Sequence, residues 1–525
     1  MTGDVTEGSA TAAPALLSFG GSRGRWVLLA TVLGSGMAFI DGTVVNVALP
    51  TIGEDLDAGV AGLQWTVNAY TLTLASLILL GGSLGDRFGR RRVFVIGVVW
   101  FAVASLACGV APDIRTLVAA RAVQGVGGAL LTPGSLAILQ SSFRSEDRMR
   151  AIGAWSGLAG IAGAAGPFLG GWLVQTVGWR WVFLINLPFA VAVVLVSMRH
   201  VPESRNPQAS HSLDLLGAAL GAVGLGSLTY ALIAWQELGP TSPRVQVTLV
   251  AGVLGLAAFV WREHSARAPM LPLGIFSSRL FSATNVVTFA VYGALGGVFF
   301  FLVLTLQVVA GFSPLAAGAA LLPVTLLMLL LSARMGALAS RIGPRLPMTV
   351  GPRLAAVAVL LLSGLDSASS YVADVLPGVV LLGLGLSFTV APLTATVLAA
   401  APDRHAGIAS GVNNAVARVA GLLAVAALPL VVGLDGAAYA DPDLLQPAYR
   451  SAMLVCAGLF AAGGALAAGF VRSPGDETGQ TGPAAPTEHF FCCPVDGPAM
   501  ESCPHDGPMA EHRAGRPGAR VSRPH

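Results

Sequence analysis

Gly82-Ser-Leu-Gly-Asp86-Arg87-Phe-Gly89-Arg90-Arg91 and Gly336-Ala-Leu-Ala-Ser340-Arg341-Ile-Gly343-Pro-Arg345 are two copies of one pattern. Each is a short, Arg-rich link holding a glycine between two long apolar stretches, and Ser340 stands in the second where Asp86 stands in the first. A link that recurs implies that what it joins recurs too, so the two copies predict an internally duplicated chain.

Outward from these links, apolar stretches of about 20 residues follow one another, the length that crosses the hydrocarbon core of a bilayer as helix. Fourteen are read, at 27–49, 64–84, 93–111, 115–138, 150–173, 182–198, 213–235, 246–261, 282–305, 314–334, 346–364, 374–397, 408–432 and 450–471. Of the 525 residues 54% are hydrophobic and 11% charged, whereas soluble domains carry about a quarter charged residues. A soluble globule is therefore excluded, and an all-α membrane protein is expected.

The charges that remain are sorted by loop. Links after spans two, four, eight and ten hold Arg87, Arg90, Arg91 and Arg92; Arg144, Arg148 and Arg150; Arg262, Arg267 and Arg279; and Arg341 and Arg345. Alternate links hold Glu54, Asp55 and Asp57; Asp366; and Asp435, Asp441 and Asp443. Basic residues mark the cytoplasmic side, so an even number of spans with both termini cytoplasmic is expected. All 30 basic residues are Arg, which matches GC-rich codon usage and points to a bacterial inner (plasma) membrane. Residues 1–24 lack the apolar core of a cleavable signal, so the first span is expected to serve as its own address.

The copies of the link are eight spans apart. Two six-helix halves separated by a two-helix insert put both at the same place in each half. The expected organisation is a cytoplasmic N-terminal segment (1–25), an N-terminal half (26–200), the insert (201–265), a C-terminal half (266–472) and a Pro- and Gly-rich cytoplasmic tail (473–525) whose composition predicts disorder. Cys492, Cys493 and Cys503 with His489, His505 and His512 fall in that tail at spacings matching no zinc site, so no metal is expected. Cys108 and Cys456 lie in apolar spans as small hydrophobes.

Four further motifs, in spans one, two, four and five, give the chain its resemblance. Span one reads Ile40-Asp41-Gly-Thr43-Val-Val45-Asn46-Val-Ala48-Leu-Pro50, and span two opens Gln64-Trp65-Thr-Val-Asn68-Ala-Tyr70. Span four has Arg121-Ala-Val-Gln124-Gly125-Val-Gly127-Gly128. Span five has Gly166-Pro167-Phe-Leu-Gly170-Gly171, followed by Trp179-Arg180-Trp181 and Asn186-Leu-Pro188. With the Asp86–Arg90 link, the chain resembles the fourteen-helix drug:proton antiporter branch of the major facilitator superfamily, over all fourteen spans. Ala162 stands where the fuller span-five motif usually has Gly. The resemblance implies the major facilitator fold, two parallel six-helix halves, and a proton-coupled exporter of drugs or antibiotics.

The residues themselves fit that chemistry. Asp41 is a carboxylate inside an apolar span, where a charge costs a few kcal/mol; its protonation then depends on the side from which water reaches it. It is the candidate proton-coupling residue, or else a carboxylate that only binds neighbouring helices. Arg121 shares a helical face with Gln124, Gly125 and Gly128 and is the natural counter-charge; the resemblance ties it to proton handling, the alternative is a tether between helices, and whether it pairs with Asp41 stays open. Asn46, Trp65, Asn68, Tyr70 and Gln124 are candidate cavity-lining residues, with Trp65 and Tyr70 equally suited to an interfacial belt. Arg418, near the cytoplasmic end of span thirteen, either snorkels to that surface or meets an anionic group of the substrate. Gly82, Asp86, Arg87, Gly89 and Arg90 are expected to form a latch between the cytoplasmic ends of the halves, which Ser340 makes asymmetric. Gly153, Gly157, Gly160, Ala164, Pro167 and Gly171 form a close-packing stripe, with a Pro-induced bend where the halves meet.

No phosphate-cradling loop, nucleophile elbow or zinc-helix motif occurs, so neither an enzyme, an ATP-driven pump nor a cofactor is expected, and no basic tract calls for nucleic acid. The expected partners are a small molecule, protons and the lipid bilayer, with no obligate protein partner. The apolar interiors of spans nine, ten, twelve and thirteen hold no acid, which favours neutral, monocationic or zwitterionic substrates over dications. The alternatives left open are an exporter of a siderophore, lipid or amino acid, and a receptor or scaffold that no longer transports.

Overall fold

The computed structural model describes residues 16–205, 214–266, 269–400, 406–434, 436 and 438–471. The Cys- and His-bearing tail lies outside them. The described chain contains no β-strand; one isolated bridge joins Leu17 to Phe143. The helices are α1 (Ser22–Asp55), α2 (Val60–Phe88), α3 (Arg90–Gly109), α4 (Ile114–Ser142), α5 (Ser145–Thr176), α6 (Trp181–Leu184) and α7 (Asn186–His200). After α8 (Leu215–Leu238) and α9 (Pro243–Ser265) come α10 (Arg279–Val308), α11 (Pro314–Ala320), α12 (Leu322–Ile342), α13 (Arg345–Leu362), α14 (Leu376–Ala399), α15 (Ala406–Val432) and α16 (Pro442–Phe470).

Among the described residues 13 helical segments are long and apolar enough to cross a membrane, and α5, 32 residues long, stands where the fifth span is expected. Helix therefore occupies every one of the fourteen expected positions. The sixth is broken between α6 and α7 at Ile185, the tenth between α11 and α12 at Leu321, and the twelfth opens in a π-helical turn over Tyr371–Val375. The ends follow local chemistry. Asp113 caps α4 by accepting from the Thr116 amide at 2.9 Å and its hydroxyl at 3.0 Å, satisfying a donor that has no partner within the helix. Asp214 does the same for α8 and Ser313 for α11. The glycine of the duplicated link has a backbone role in both copies: Gly89 (φ 113°) and Gly343 (φ 86°) turn the chain between helices in a region side chains avoid.

Small residues set which helices touch. Gly97 of α3 meets Gly127 of α4, and Gly351 of α13 meets Gly385 of α14, backbone against backbone; without water to drive helices together, such close approach carries association. α1 to α5 and α7 pack among themselves, as do α10 and α12 to α16, while α8 and α9 pair with each other and α8 rests on α2 and α15. Between the first and second groups, contacts gather at the end bearing the acidic links. The Val60 amide donates to the Gly436 carbonyl at 2.8 Å, the Tyr439 hydroxyl to Ala58 at 2.9 Å, and the Gln307 side chain to Val47 at 3.0 Å.

Candidate functional site

Asp41 sits in the middle of α1 with none of its surface exposed. Its Oδ2 lies 2.5 Å from Arg121 Nη1 of α4. Its Oδ1 accepts from Gln124 Nε2 at 2.8 Å and, at 3.4 Å, from Asn186 Nδ2 at the start of α7. Arg121 also donates to Gln124 Oε1 at 2.7 Å and, through Nε, to the Thr66 carbonyl of α2 at 3.0 Å. Gln124 and Asn186 both reach the Ser105 hydroxyl of α3, at 2.7 and 3.2 Å. The Tyr70 ring lies 4.4 Å and the Phe183 ring 5.6 Å from the guanidinium carbon, walls of the kind that hold a buried cation.

The composition of this cluster explains its placement. A charge removed from water is tolerated when paired and hydrogen-bonded, and the glycines of α4 bring the partners close. A Cβ on Gly125 would fall on Thr73 and the Tyr70 carbonyl. Asp41 and Arg121 are thus brought together. Gln124 and Tyr70, expected to line a cavity, lie in this structure within the same buried cluster, each with its polar group turned onto α1: Gln124 donates to Asp41 and Tyr70 to the Ala38 carbonyl at 3.4 Å. Ser105, Asn186 and Thr66 were not singled out by sequence. Asn186 alone carried a signal, as an Asn inside a quoted motif at the start of an apolar run.

The remaining cavity candidates separate. Trp65 is half-buried, its ring 6.4 Å from that of Tyr230 on α8 of the insert. Asn68 is fully buried with no hydrogen-bond partner for either amide atom. One turn before it, Gln64 donates to the Val425 and Ala426 carbonyls of α15 at 2.8 and 3.1 Å. Asn46 is half-buried on the α1 face that also carries Phe39 and Gly42. Arg418 faces those two residues, 5.9 Å from the Phe39 ring. It stands near the middle of α15, roughly 18 Å of helix from its start, too deep to snorkel; the expected position near the cytoplasmic end is corrected accordingly.

The span-five motif joins two neighbours at once. Gly166 and Gly170 press on α1 at Thr43 and Val44, and Thr43 Oγ1 donates to the Gly163 carbonyl at 2.8 Å. On the other edge, Gly171 lies against Pro314 and Leu315 of α11, and Gly318 of α11 against the Pro167 carbonyl. The motif is therefore the place where α5 meets both α1 and α11.

The expected latch closes differently. Asp86 and Arg90 pair with each other at 2.8 Å across the bend at Gly89, and Arg90 reaches the Ala137 carbonyl of α4 at 3.5 Å. Gly82 lies against Pro133 of α4, Arg87 over Phe88, and Gly89 beside the Glu203 carboxylate. Glu203, missed by sequence, accepts from the Arg91 amide at 3.1 Å. Among the described residues every partner belongs to α2–α4 or the segment after α7, so in this conformation the motif ties the N-terminal helices together instead of bridging to the C-terminal ones. The turn at Gly89 brings the end of α2 and the start of α3 together, so the pair forms within the link itself.

The described residues hold no cluster of metal-ligating side chains. The chain is 36% identical over 418 residues to the multidrug resistance protein Stp of Mycobacterium tuberculosis (strain CDC 1551 / Oshkosh), covering 79% of this chain and 77% of that protein. To the tetracenomycin C resistance and export protein of Streptomyces glaucescens it is 38% identical over 415 residues, covering 78% and 77%. In fold it is similar to a bacterial homologue of the human lysosomal transporter Spinster, with a TM-score of 0.60 at 18% identity over 85% of this chain and 96% of that one. Residues 31–425 match the sequence profile of the Major Facilitator Superfamily, and the chain belongs to that superfamily.

Proposed function

We propose that this protein is a proton-coupled exporter of small amphipathic compounds such as drugs or antibiotics, working by alternating access in a bacterial plasma membrane with both termini cytoplasmic. The carrying observation is the sealed Asp41–Arg121 pair in the middle of α1, on the same helix as the face that carries Phe39, Gly42 and Asn46 towards Arg418. A proton arriving on Asp41 Oδ2 removes the charge that holds Arg121 Nη1, and the grip of α4 on α1 weakens. α1 also touches α5 and α10, so a change at Asp41 acts on the helices that close the acidic end. We read 26–200 and 266–472 as six-helix halves that rock about this closure, with 201–265 as an insert beside them; the grouping of helix contacts supports that reading. The names of the relatives, a multidrug resistance protein and an antibiotic resistance and export protein, support efflux over uptake.

The test is proton release from energised everted vesicles as candidate compounds are added, with the intact protein and with Asp41→Asn. Release that disappears in the variant is expected. Export that continues in both without proton movement would leave a facilitator, and release that survives in Asp41→Asn would remove Asp41 from the coupling step.

A further inference from the structure

α15 carries a cation, Arg418, for which the described residues supply no paired anion. Asp, Glu, Arg and His side chains of the described spans lie within roughly 12 Å of a helix end, except two, Asp41 and Arg418; Arg121, roughly 11 Å from the start of α4, is closed to solvent beside Asp41. Asp41 and Arg121 neutralise each other at 2.5 Å. Arg418 has no ion pair and no hydrogen bond among the described residues, yet it is only half-buried. A guanidinium stays charged at any working pH, and leaving a charge unpaired at this depth is costly. Among the described residues Arg418 is therefore a deep positive charge without a partner, and its half-buried side chain leaves it open to a visitor.

Its surroundings define what visitor fits. The Phe39 ring, 5.9 Å from the guanidinium carbon, offers an aromatic face. Gly42 puts no side chain between Arg418 Nη1 and α1. One turn from Arg418 on its own helix, Asn414 is half-buried, as is Asn46 one turn from Gly42; both are neutral groups able to donate and accept. Resting on the transport reading above, we propose that Arg418 is the substrate-recognising residue of the cavity, and that the substrates are amphipathic molecules carrying an anionic oxygen (carboxylate, phenolate or enolate) on or beside a planar ring. The planar fork of Arg matches a carboxylate in two parallel hydrogen bonds, and the anion offsets the charge that the fold leaves open. Of the substrate charges the sequence admits, this selects zwitterions, and it adds monoanions.

Two xanthene dyes of similar shape and opposite charge test this: fluorescein, which bears a carboxylate, and rhodamine 123, a cation. Binding to the full-length protein in lipid nanodiscs is read by fluorescence anisotropy. Fluorescein is expected to bind more tightly than rhodamine 123. Arg418→Gln should lower fluorescein affinity by about tenfold or more, the worth of a charge-assisted contact, and leave rhodamine 123 unchanged or tightened; Arg418→Lys should keep most of the affinity. Preference for rhodamine 123, binding of neither dye, or equal loss of both in Arg418→Gln overturns the proposal. The wild-type preference needs no variant, so a misfolded Arg418→Gln does not leave the question open. Proton-driven movement of the dyes in everted vesicles is scored separately: its absence with the anion preference intact removes the transport reading alone, and its presence with charge-blind binding removes the anion site alone.

Discussion

Asp41 Oδ2 and Arg121 Nη1 meet 2.5 Å apart in the interior of the N-terminal helices, with both side chains closed to solvent. Removing one member of such a pair leaves the other buried and uncompensated, at a cost of about 3–5 kcal/mol, whereas removing both can be close to neutral. Asp41→Asn and Arg121→Leu are each expected to lower the thermal unfolding temperature of the purified protein, and the double variant to recover most of the loss. All three should lose substrate-driven proton release. A double variant no more stable than its weaker parent would mean that the pair does not hold α1 to α4.

Gln124 touches both members of the pair and the Ser105 hydroxyl, while Asn186 reaches Asp41 only at 3.4 Å. Gln124→Leu strips Asp41 Oδ1 of its closer donor and leaves Ser105 one partner fewer. Proton-coupled transport should fall by about tenfold or more, equivalent to about 1.4 kcal/mol, and Asn186→Leu should cost less. Initial rates in everted vesicles decide the order, and equal losses would mean that the 2.8 and 3.4 Å contacts are not distinguished in function.

How much of this could be read from the chain depended on what kind of signal each feature leaves. Fourteen helical positions were legible because bilayer-length apolar runs stand out, and Asp41 and Arg121 stood out as candidates because a charge inside such a run is costly and needs a partner. Helix faces were harder. Gln124 and Tyr70 lie on helices with small residues on several sides, so periodicity does not say which side meets α1 and which meets a cavity. The neighbour of Trp65 was not legible, because Tyr230 lies on α8, more than 140 residues later in the chain. The Asp86–Arg90 link was expected to bridge the halves, and the internal bond was not legible because it depends on how far Gly89 bends the chain between α2 and α3. Glu203 left no signal: a lone acid after a helix becomes a partner of Arg91 only once α3 and α7 lie side by side.

Tyr439 packs on Gly53 and donates to the Ala58 carbonyl at 2.9 Å, joining α1 to the segment before α16 at the acidic-link end. A Cβ on Gly53 would overlap the phenol, so Gly53→Val must displace the ring and break the bond. The variant should shift the protein towards the state open at that end. Maleimide labelling of a cysteine placed at Asn46, from the acidic-link side, should rise relative to the same cysteine beside Gly53. Unchanged labelling would show that Tyr439 is not part of the closure.

Asp113 lies outside the spans, and the hydrogen bonds from Thr116 hold its carboxyl below the ordinary value of 3.8. For an acid whose value is depressed by folding, the stabilisation is present above its unfolded value and is lost as pH falls through the folded one. Amide exchange over the first turn of α4 should therefore be pH-insensitive, after correction for intrinsic rates, down to about pH 4 and lose protection below it. Asp113→Ala should show the unprotected behaviour throughout. Protection in Asp113→Ala equal to the intact protein at neutral pH would assign the start of α4 to packing alone.

The reciprocal contact of α5 and α11 separates glycines that are needed from one that is not. Gly171 faces the Pro314 carbonyl and Gly318 the Pro167 carbonyl, each so close that a methyl group cannot be added without moving a backbone. Gly153, on the same helix α5, has open space where its side chain would be. Alanine favours a helix over glycine by about 1 kcal/mol, so Gly153→Ala should be neutral or stabilising. Gly171→Ala and Gly318→Ala gain the same propensity but force the helices apart, and overpacking costs about 1–3 kcal/mol. If α5 and α11 must touch for the acidic end to close, both should lower the unfolding temperature and slow transport, with Gly153→Ala as the control on the same helix. Transport slowed in Gly153→Ala as well would mean that backbone flexibility of α5, and not its fit against α11, is what the glycines supply.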